Sequence, residues 1–143
     1  MSRVDQRWLQ VRRHNGTGFQ SLVSFGAWRV AILNAGKSGA ADSSATMERH
    51  TKTDEVFVLT RGRAILLLGG TEPQVQAVHR KAMEPGKIYN VRCNVWHTIL
   101  LSRNASVLIV ENRDTGPANS EHVELAPRER ERIREIRKRV ALR

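Results

Sequence analysis

The sequence lacks several features that would assign it to a well-marked class of protein. It has one cysteine, Cys93, in 143 residues, so no disulfide can form within the chain and a disulfide-stapled fold is excluded. Its uninterrupted apolar runs are short, as at residues 64–68 and 107–110, whereas a membrane-spanning helix needs ~20 apolar residues. We therefore expect no membrane span.

The first residues also lack the apolar stretch of a secretory signal. No such stretch follows the charged residues Arg3, Asp5 and Arg7, and a signal peptide requires one. The single cysteine agrees with a reducing compartment. The sequence thus predicts a cytoplasmic protein.

Acidic residues are scarce, and the resulting positive charge is concentrated at the two ends. The chain carries 24 Lys and Arg against 14 Asp and Glu, a net charge of +10. Residues 126–143 hold eight Arg or Lys and three Glu, and residues 1–13 hold four Arg and one Asp. Basic surfaces attract phosphate polymers, but no groove-reading motif accompanies these arginines. We expect solvated or partner-docking ends, and no nucleic-acid partner.

Short runs rich in Val, Ile, Leu and Phe, separated by turn residues, fill the chain between residues 18 and 112. This spacing is typical of an all-β sandwich or barrel, and a chain of this length fits one domain. Short turns indicate that successive strands are antiparallel. We predict strands at residues 19–25, 28–33, 46–50, 55–60, 63–68, 75–80, 87–91, 97–102 and 105–111.

The end of the chain has a helical pattern. Pro127 suits the first turn of a helix, and Ile133, Ile136 and Val140 recur at intervals of three and four residues. This apolar stripe is too narrow for a core of its own, so we expect the helix to lie across the barrel or against a second subunit. The predicted division is an N-terminal arm (1–17), a β-barrel (18–114), a linker (115–125) and a basic C-terminal helix (126–143).

One connection, residues 34–45, is long, polar and rich in Gly, Ala and Ser. It precedes the strand that holds Glu48 and His50. Two interpretations are open: a plain surface loop, or a lid over a site on the following strand.

Four side chains able to bind a metal fall on three predicted strands. Glu48 and His50 alternate along one strand and so project from the same face. Glu55 opens the next strand, so these three come from one predicted hairpin, and a barrel can bring His97 opposite them. Imidazole and carboxylate together suit divalent iron, manganese, nickel, zinc or copper.

These residues resemble the conserved motifs of the cupins. Residues 48–55, followed by Gly62, resemble the first cupin motif, G(X)5HXH(X)3-4E(X)6G. Residues 86–97 resemble the second, G(X)5PXG(X)2H(X)3N. Together the resemblance covers roughly residues 28–112. It implies a small antiparallel jelly-roll barrel, followed here by the C-terminal α-helix.

The resemblance also implies a metal site. His50, Glu55 and His97 match three of the four cupin ligands, while Glu48 stands at the position of the first histidine. Glu48 is then either a fourth ligand or a catalytic acid or base beside the metal. The second motif departs from the family at three further positions, and metal-free cupins exist, so an empty site stays open. The departing residues are Arg92, Asn94 and Leu101.

Three functions remain open, and the sequence does not decide whether the chain is an enzyme. The first is a cupin-like homodimer that binds a divalent metal and acts on or binds a small polar organic molecule. The second is a non-enzymatic module that binds or senses a small ligand through a degenerate metal site. The third, binding of nucleic acid or another acidic polymer, rests only on the basic ends. A site-free interpretation instead pairs Glu48 and Glu55 with Arg49, Lys52, Arg61 or Arg92.

Overall fold

The computed structural model describes residues 4–36 and 45–141. Within these ranges the chain forms ten strands and one helix. In chain order they are β1 (Gly18–Phe25), β2 (Trp28–Asn34), β3 (Thr46–His50), β4 (Glu55–Arg61), β5 (Ala64–Leu68), β6 (His79–Ala82), β7 (Ile88–Val91), β8 (His97–Leu101), β9 (Ser106–Asn112), β10 (Ser120–Glu124) and α1 (Pro127–Ala141).

The strands form two five-stranded antiparallel sheets. Sheet A has the order β1-β2-β9-β4-β7 and sheet B the order β10-β3-β8-β5-β6. Buried residues alternate along the strands, with Phe57 and Leu59 of β4 and Val107 and Ile109 of β9 in the core between the sheets. Two packed antiparallel sheets whose strands cross repeatedly from one to the other make a jelly roll. The predicted all-β jelly-roll barrel with a C-terminal helix is confirmed.

The predicted hairpin of β3 and β4 is wrong. Strand β3 pairs with β10 and β8 in sheet B, whereas β4 pairs with β9 and β7 in sheet A. The connection between them crosses from one sheet to the other. Thr51 N–H donates to the Asn119 carbonyl beside sheet B, while Asp54 accepts from Asn90 and from the Cys93 N–H. Glu48 and His50 therefore face Glu55 across the barrel.

Two further segments differ from prediction. The strand predicted at residues 75–80 is observed at His79–Ala82, because the preceding loop is held by its own contacts: Trp96 donates its indole N–H to the Glu72 carbonyl. Residues 115–125, predicted as a linker, contain β10, which pairs with β3 along its length. Hydrogen bonding to the open edge of β3 makes this polar segment a strand. The lid interpretation falls mainly on residues 37–44, which lie outside the described residues.

Helix α1 lies across the outer face of sheet B, which is one of the two placements predicted. Ile133, Ile136 and Val140 are buried, and the Arg63 guanidinium donates to the Val140 carbonyl at 3.1 Å. No helix in the described part of the chain is long and apolar enough to cross a membrane. The apolar stripe of α1 packs against Met47, Leu67, Val78, Trp96, Leu100 and Leu125.

Because Ile133 is fully buried between α1 and sheet B, we expect Ile133→Ala to lower the free energy of unfolding by about 3 kcal/mol. The milder Ile133→Val should cost about 1 kcal/mol. The control is Arg132→Ala, at the exposed neighbouring position, which should change stability by no more than ~0.5 kcal/mol. Urea unfolding measures all three. Equal effects of Ile133→Ala and Arg132→Ala would show that the helix does not pack on the barrel.

Candidate metal centre

Three buried side chains from three strands meet inside the barrel. His50 ends β3, Glu55 begins β4 and His97 begins β8, and their exposed fractions are 7%, 6% and 3%. Glu55 Oε2 lies 3.0 Å from His50 Nε2 and 2.8 Å from His97 Nε2. Ligand atoms that each lie ~2.1 Å from a metal, at right angles, are about 3 Å apart. The two distances from Glu55 Oε2 are those of hydrogen bonds and are also compatible with a shared metal ion.

The outer ring nitrogens of both histidines are held by the surrounding chain. His97 Nδ1 lies 2.8 Å from the Val95 carbonyl, and His50 Nδ1 lies 2.8 Å from Ser120 Oγ. A carbonyl oxygen only accepts, so His97 Nδ1 donates and its Nε2 faces Glu55. Such outer partners fix ring orientation in metal sites. Strand β10 therefore contributes to the site through Ser120.

The electrostatics of the cluster favour positive charge around Glu55. Burial acts to raise the pKa of Glu55, but hydrogen bonds from His50 and His97 outweigh it, and the net pKa is lowered. Burial acts to lower the pKa of each histidine, yet the hydrogen bond to Glu55 and its charge raise both. An ionised carboxylate thus lies between two imidazole rings and is stabilised by both of them.

Glu48 lies at the rim of the same space. Its side chain is 44% exposed, and its Oε2 lies 3.4 Å from His122 Nε2. Its strand neighbours are His97 on β8 and His122 on β10. Ligand atoms of Glu48, His50 and His97 lie within 4.8 Å of one another. The structure thus brings all four sequence-predicted residues together, with three buried and one at the opening.

Three of the four basic residues that the site-free interpretation paired with Glu48 and Glu55 have other partners. Arg49 pairs with Glu121, and Arg92 pairs with Asp54. Arg61 donates to a backbone carbonyl. The acids of the cluster are instead in contact with histidines.

Sequence reasoning missed Glu111, on β9, which is 6% exposed. Its Oε1 accepts two hydrogen bonds from Arg29, at 2.6 and 3.1 Å. Its Oε2 lies 3.8 Å from His50 Nε2. Burial and the charge of Glu55 raise the pKa of Glu111, against the opposing effect of Arg29. The sequence did contain an indication of this position. Val107, Ile109 and Glu111 are every second residue of the strand, so the Glu111 side chain is on the same, core-facing side as the two apolar ones.

The sequence analysis did not single out His122 either, because its strand has no apolar alternation to indicate which side chains share a face.

A cavity of about 730 Å³ lies over the cluster and includes Glu48 and His122 in its lining. Phe57 packs edge-on against the His97 ring, with centroids 6.0 Å apart. The lining also contains the apolar side chains of Phe19, Leu33, Ile99 and Ile109, together with polar ones such as Asn34 and Thr98. Polar groups gathered at one end of an apolar cavity are typical of small-molecule sites.

No protein-family model and no curated protein matches the sequence. Among solved structures the chain is similar to Pac13, described as a nucleoside dehydratase, with a TM-score of 0.56 and 10% identity over 80% of this chain and 85% of Pac13. A variant of Streptomyces Pac13 with uridine has a TM-score of 0.56 and 11% identity, over 80% of this chain and 84% of that one. BH2720 from Bacillus halodurans has a TM-score of 0.56 and 12% identity, over 72% of this chain and 75% of that one. These likenesses show the fold.

Because Arg29 and Glu111 form a buried ion pair, we expect substitutions at the two positions to have non-additive effects on stability. Arg29→Met leaves a buried carboxylate without its cation, so we expect the free energy of unfolding to fall by roughly 3 kcal/mol. Adding Glu111→Gln removes the unpaired charge and should restore part of that loss. Urea unfolding of the two single variants and the double variant, with chelator present, measures the coupling. Strictly additive effects would contradict this account of the pair.

Proposed function

We propose that this chain, which has the cupin-type jelly-roll fold, binds one divalent metal ion through His50, Glu55 and His97. In the cavity above that site it would act on or bind a small polar organic molecule. The observation that carries the proposal is the convergence of two buried histidines and one buried carboxylate, from three strands, in the lining of one cavity. A three-residue set leaves coordination positions for a substrate or for water.

The donor chemistry sets which metals fit. Two imidazoles and one carboxylate suit divalent iron, manganese, nickel, zinc or copper. When bound, such a metal would polarise a substrate oxygen or lower the pKa of a water molecule. His97 and His50 are held in place for this by Val95 and Ser120.

Glu48 is positioned to act as a general acid or base toward a molecule bound in the cavity. Its carboxylate lies at the cavity rim, next to the His122 ring. From there it can accept or return a proton at a group of the ligand, provided that group lies within hydrogen-bond reach. We propose that Glu48 is the proton-transfer residue if the chain is an enzyme.

The size of the cavity supports a ligand of moderate size. A volume of about 730 Å³ falls within the ~300–1,000 Å³ typical of small-molecule sites. The similar protein Pac13 is described with uridine. A polar molecule no larger than a nucleoside is therefore a reasonable class to screen first.

A non-enzymatic ligand-binding or sensing module is the second candidate. It is favoured by one observation: Glu55 Oε2 is hydrogen-bonded to both histidines, so these three side chains have partners without a metal. If metal-stripped and metal-loaded protein bind a screened ligand equally tightly and neither turns it over, this candidate replaces the first.

Metal binding can be tested by elemental analysis of protein purified without added metal. We expect about one transition-metal ion per chain in the parent, and loss of most of it in His50→Ala and His97→Ala, since each removes a ligand. His79→Ala, on an exposed strand, is the matched control and should keep the metal. A metal-free parent, or variants that retain the metal, would refute the proposal.

We also propose a homodimer, which is supported by exposed apolar side chains at one end of the chain. Trp8, Val11 and Phe25 are 81%, 80% and 75% exposed, and such surface is typical of interaction sites. Light scattering coupled to gel filtration, at micromolar concentration, should give twice the mass of one chain. Trp8→Ser should shift the equilibrium toward monomer. A parent of single-chain mass would rule the homodimer out.

A further inference from the structure

We infer that Glu111, rather than Glu48, is the fourth protein ligand of the metal centre, which leaves Glu48 and His122 to face the bound molecule. The inference rests on the proposed metal-binding function and deepens it. Its starting point is the state of Glu111 Oε2, which is buried and has no hydrogen-bond partner among the described residues.

A buried carboxylate oxygen without a partner is unfavourable. Leaving such a group unsatisfied costs about 1–3 kcal/mol, and more when it is charged, so native proteins satisfy nearly all of them. The other oxygen of Glu111 is fully engaged, because Oε1 accepts from both Nε and a terminal nitrogen of Arg29. The missing partner therefore belongs on the Oε2 side, which is the side of His50.

The distances place Oε2 within reach of a metal held by the cluster. It lies 3.8 Å from His50 Nε2, and ligand atoms of His50, Glu55 and Glu111 all lie within 4.8 Å of one another. Two ligand atoms that share one metal are about 3 Å apart at right angles and about 4.2 Å apart on opposite sides. The spacing of His50, Glu55 and Glu111 is therefore compatible with one shared ion.

The charges point the same way. Glu55 and Glu111, each 6% exposed, bring two carboxylates into one buried space with ligand atoms within 4.8 Å of one another, where like charges repel. A divalent cation between them removes that repulsion. Arg29 would hold the non-ligating oxygen, as outer partners of metal-bound carboxylates do. Arg29 is thus a positioning residue for Glu111.

Glu48 is the less suitable ligand of the two. Its side chain is 44% exposed, against 3% for that of Glu111. Its Oε2 already has His122 Nε2 as a neighbour at 3.4 Å. A carboxylate that water can reach gains less by binding a buried ion, and its position at the rim suits contact with the incoming molecule instead.

The test compares two isosteric variants, Glu111→Gln and Glu48→Gln, in the metal-stripped full chain. Affinity for Mn²⁺ and Zn²⁺ is measured by competition with a chelating dye. We expect Glu111→Gln to weaken binding roughly 100-fold, at the upper end of the range for disturbed metal sites, and Glu48→Gln to change it less than about threefold. The visible absorption of bound Co²⁺ should change in Glu111→Gln and remain that of the parent in Glu48→Gln.

Folding is checked separately by thermal unfolding without metal. If Glu111→Gln does not fold, Glu111→Asp retains the charge but withdraws the oxygen by one methylene, and it should also weaken Mn²⁺ binding. A large loss in Glu48→Gln with parental affinity in the Glu111 variants would overturn the inference and leave the proposed metal site standing. A parent that binds none of the three ions would overturn the proposed function, and the inference with it.

Discussion

The buried carboxylate of Glu55 joins the two halves of the barrel. Glu55 belongs to sheet A, while His50 and His97 belong to sheet B, so both of its hydrogen bonds cross the interior. A buried charge is strongly unfavourable unless it is paired and hydrogen-bonded. The outer contacts of the two rings, with Ser120 and with the Val95 carbonyl, are therefore part of the same requirement. The polar strand β10 and the turn before β8 hold the rings that stabilise Glu55.

A second buried carboxylate, on sheet A, has the same need for a paired and hydrogen-bonded partner. Arg29 on β2 and Glu111 on β9 are direct neighbours in register, and the ion pair they form faces the same interior space. The remainder of the space between the sheets is apolar, with Phe57, Val107 and Ile109 among its buried residues. The helix and the outer face of sheet B bury a separate apolar cluster. The buried histidines and carboxylates of the described residues thus gather where the cavity lies.

Much of this arrangement could be predicted from the sequence, and the failures have physical causes. Strands with apolar alternation between turn residues were predicted close to their observed bounds, and the motif spacing singled out His50, Glu55 and His97. The short link between β3 and β4 was misinterpreted because a four-residue connection can close a hairpin or cross between two sheets, and only long-range pairing decides. Strand β10 has no apolar pattern, since its order comes from hydrogen bonding to an edge. Glu111 was passed over because one charged residue at the end of an apolar run also matches a strand terminus.

The fold limits where chemistry can occur but not which chemistry it is. Structures at 10–12% identity share the barrel, so the barrel tolerates nearly complete replacement of its sequence. In this chain strands β10, β3 and β8 lie side by side next to the cluster around Glu55. There Glu48 has His97 on one side and His122 on the other, which places a proton acceptor between a buried imidazole and an exposed one. Under the proposed function, a molecule entering from the rim would meet the exposed side chains of Glu48 and His122 before the buried ones of His50 and Glu55.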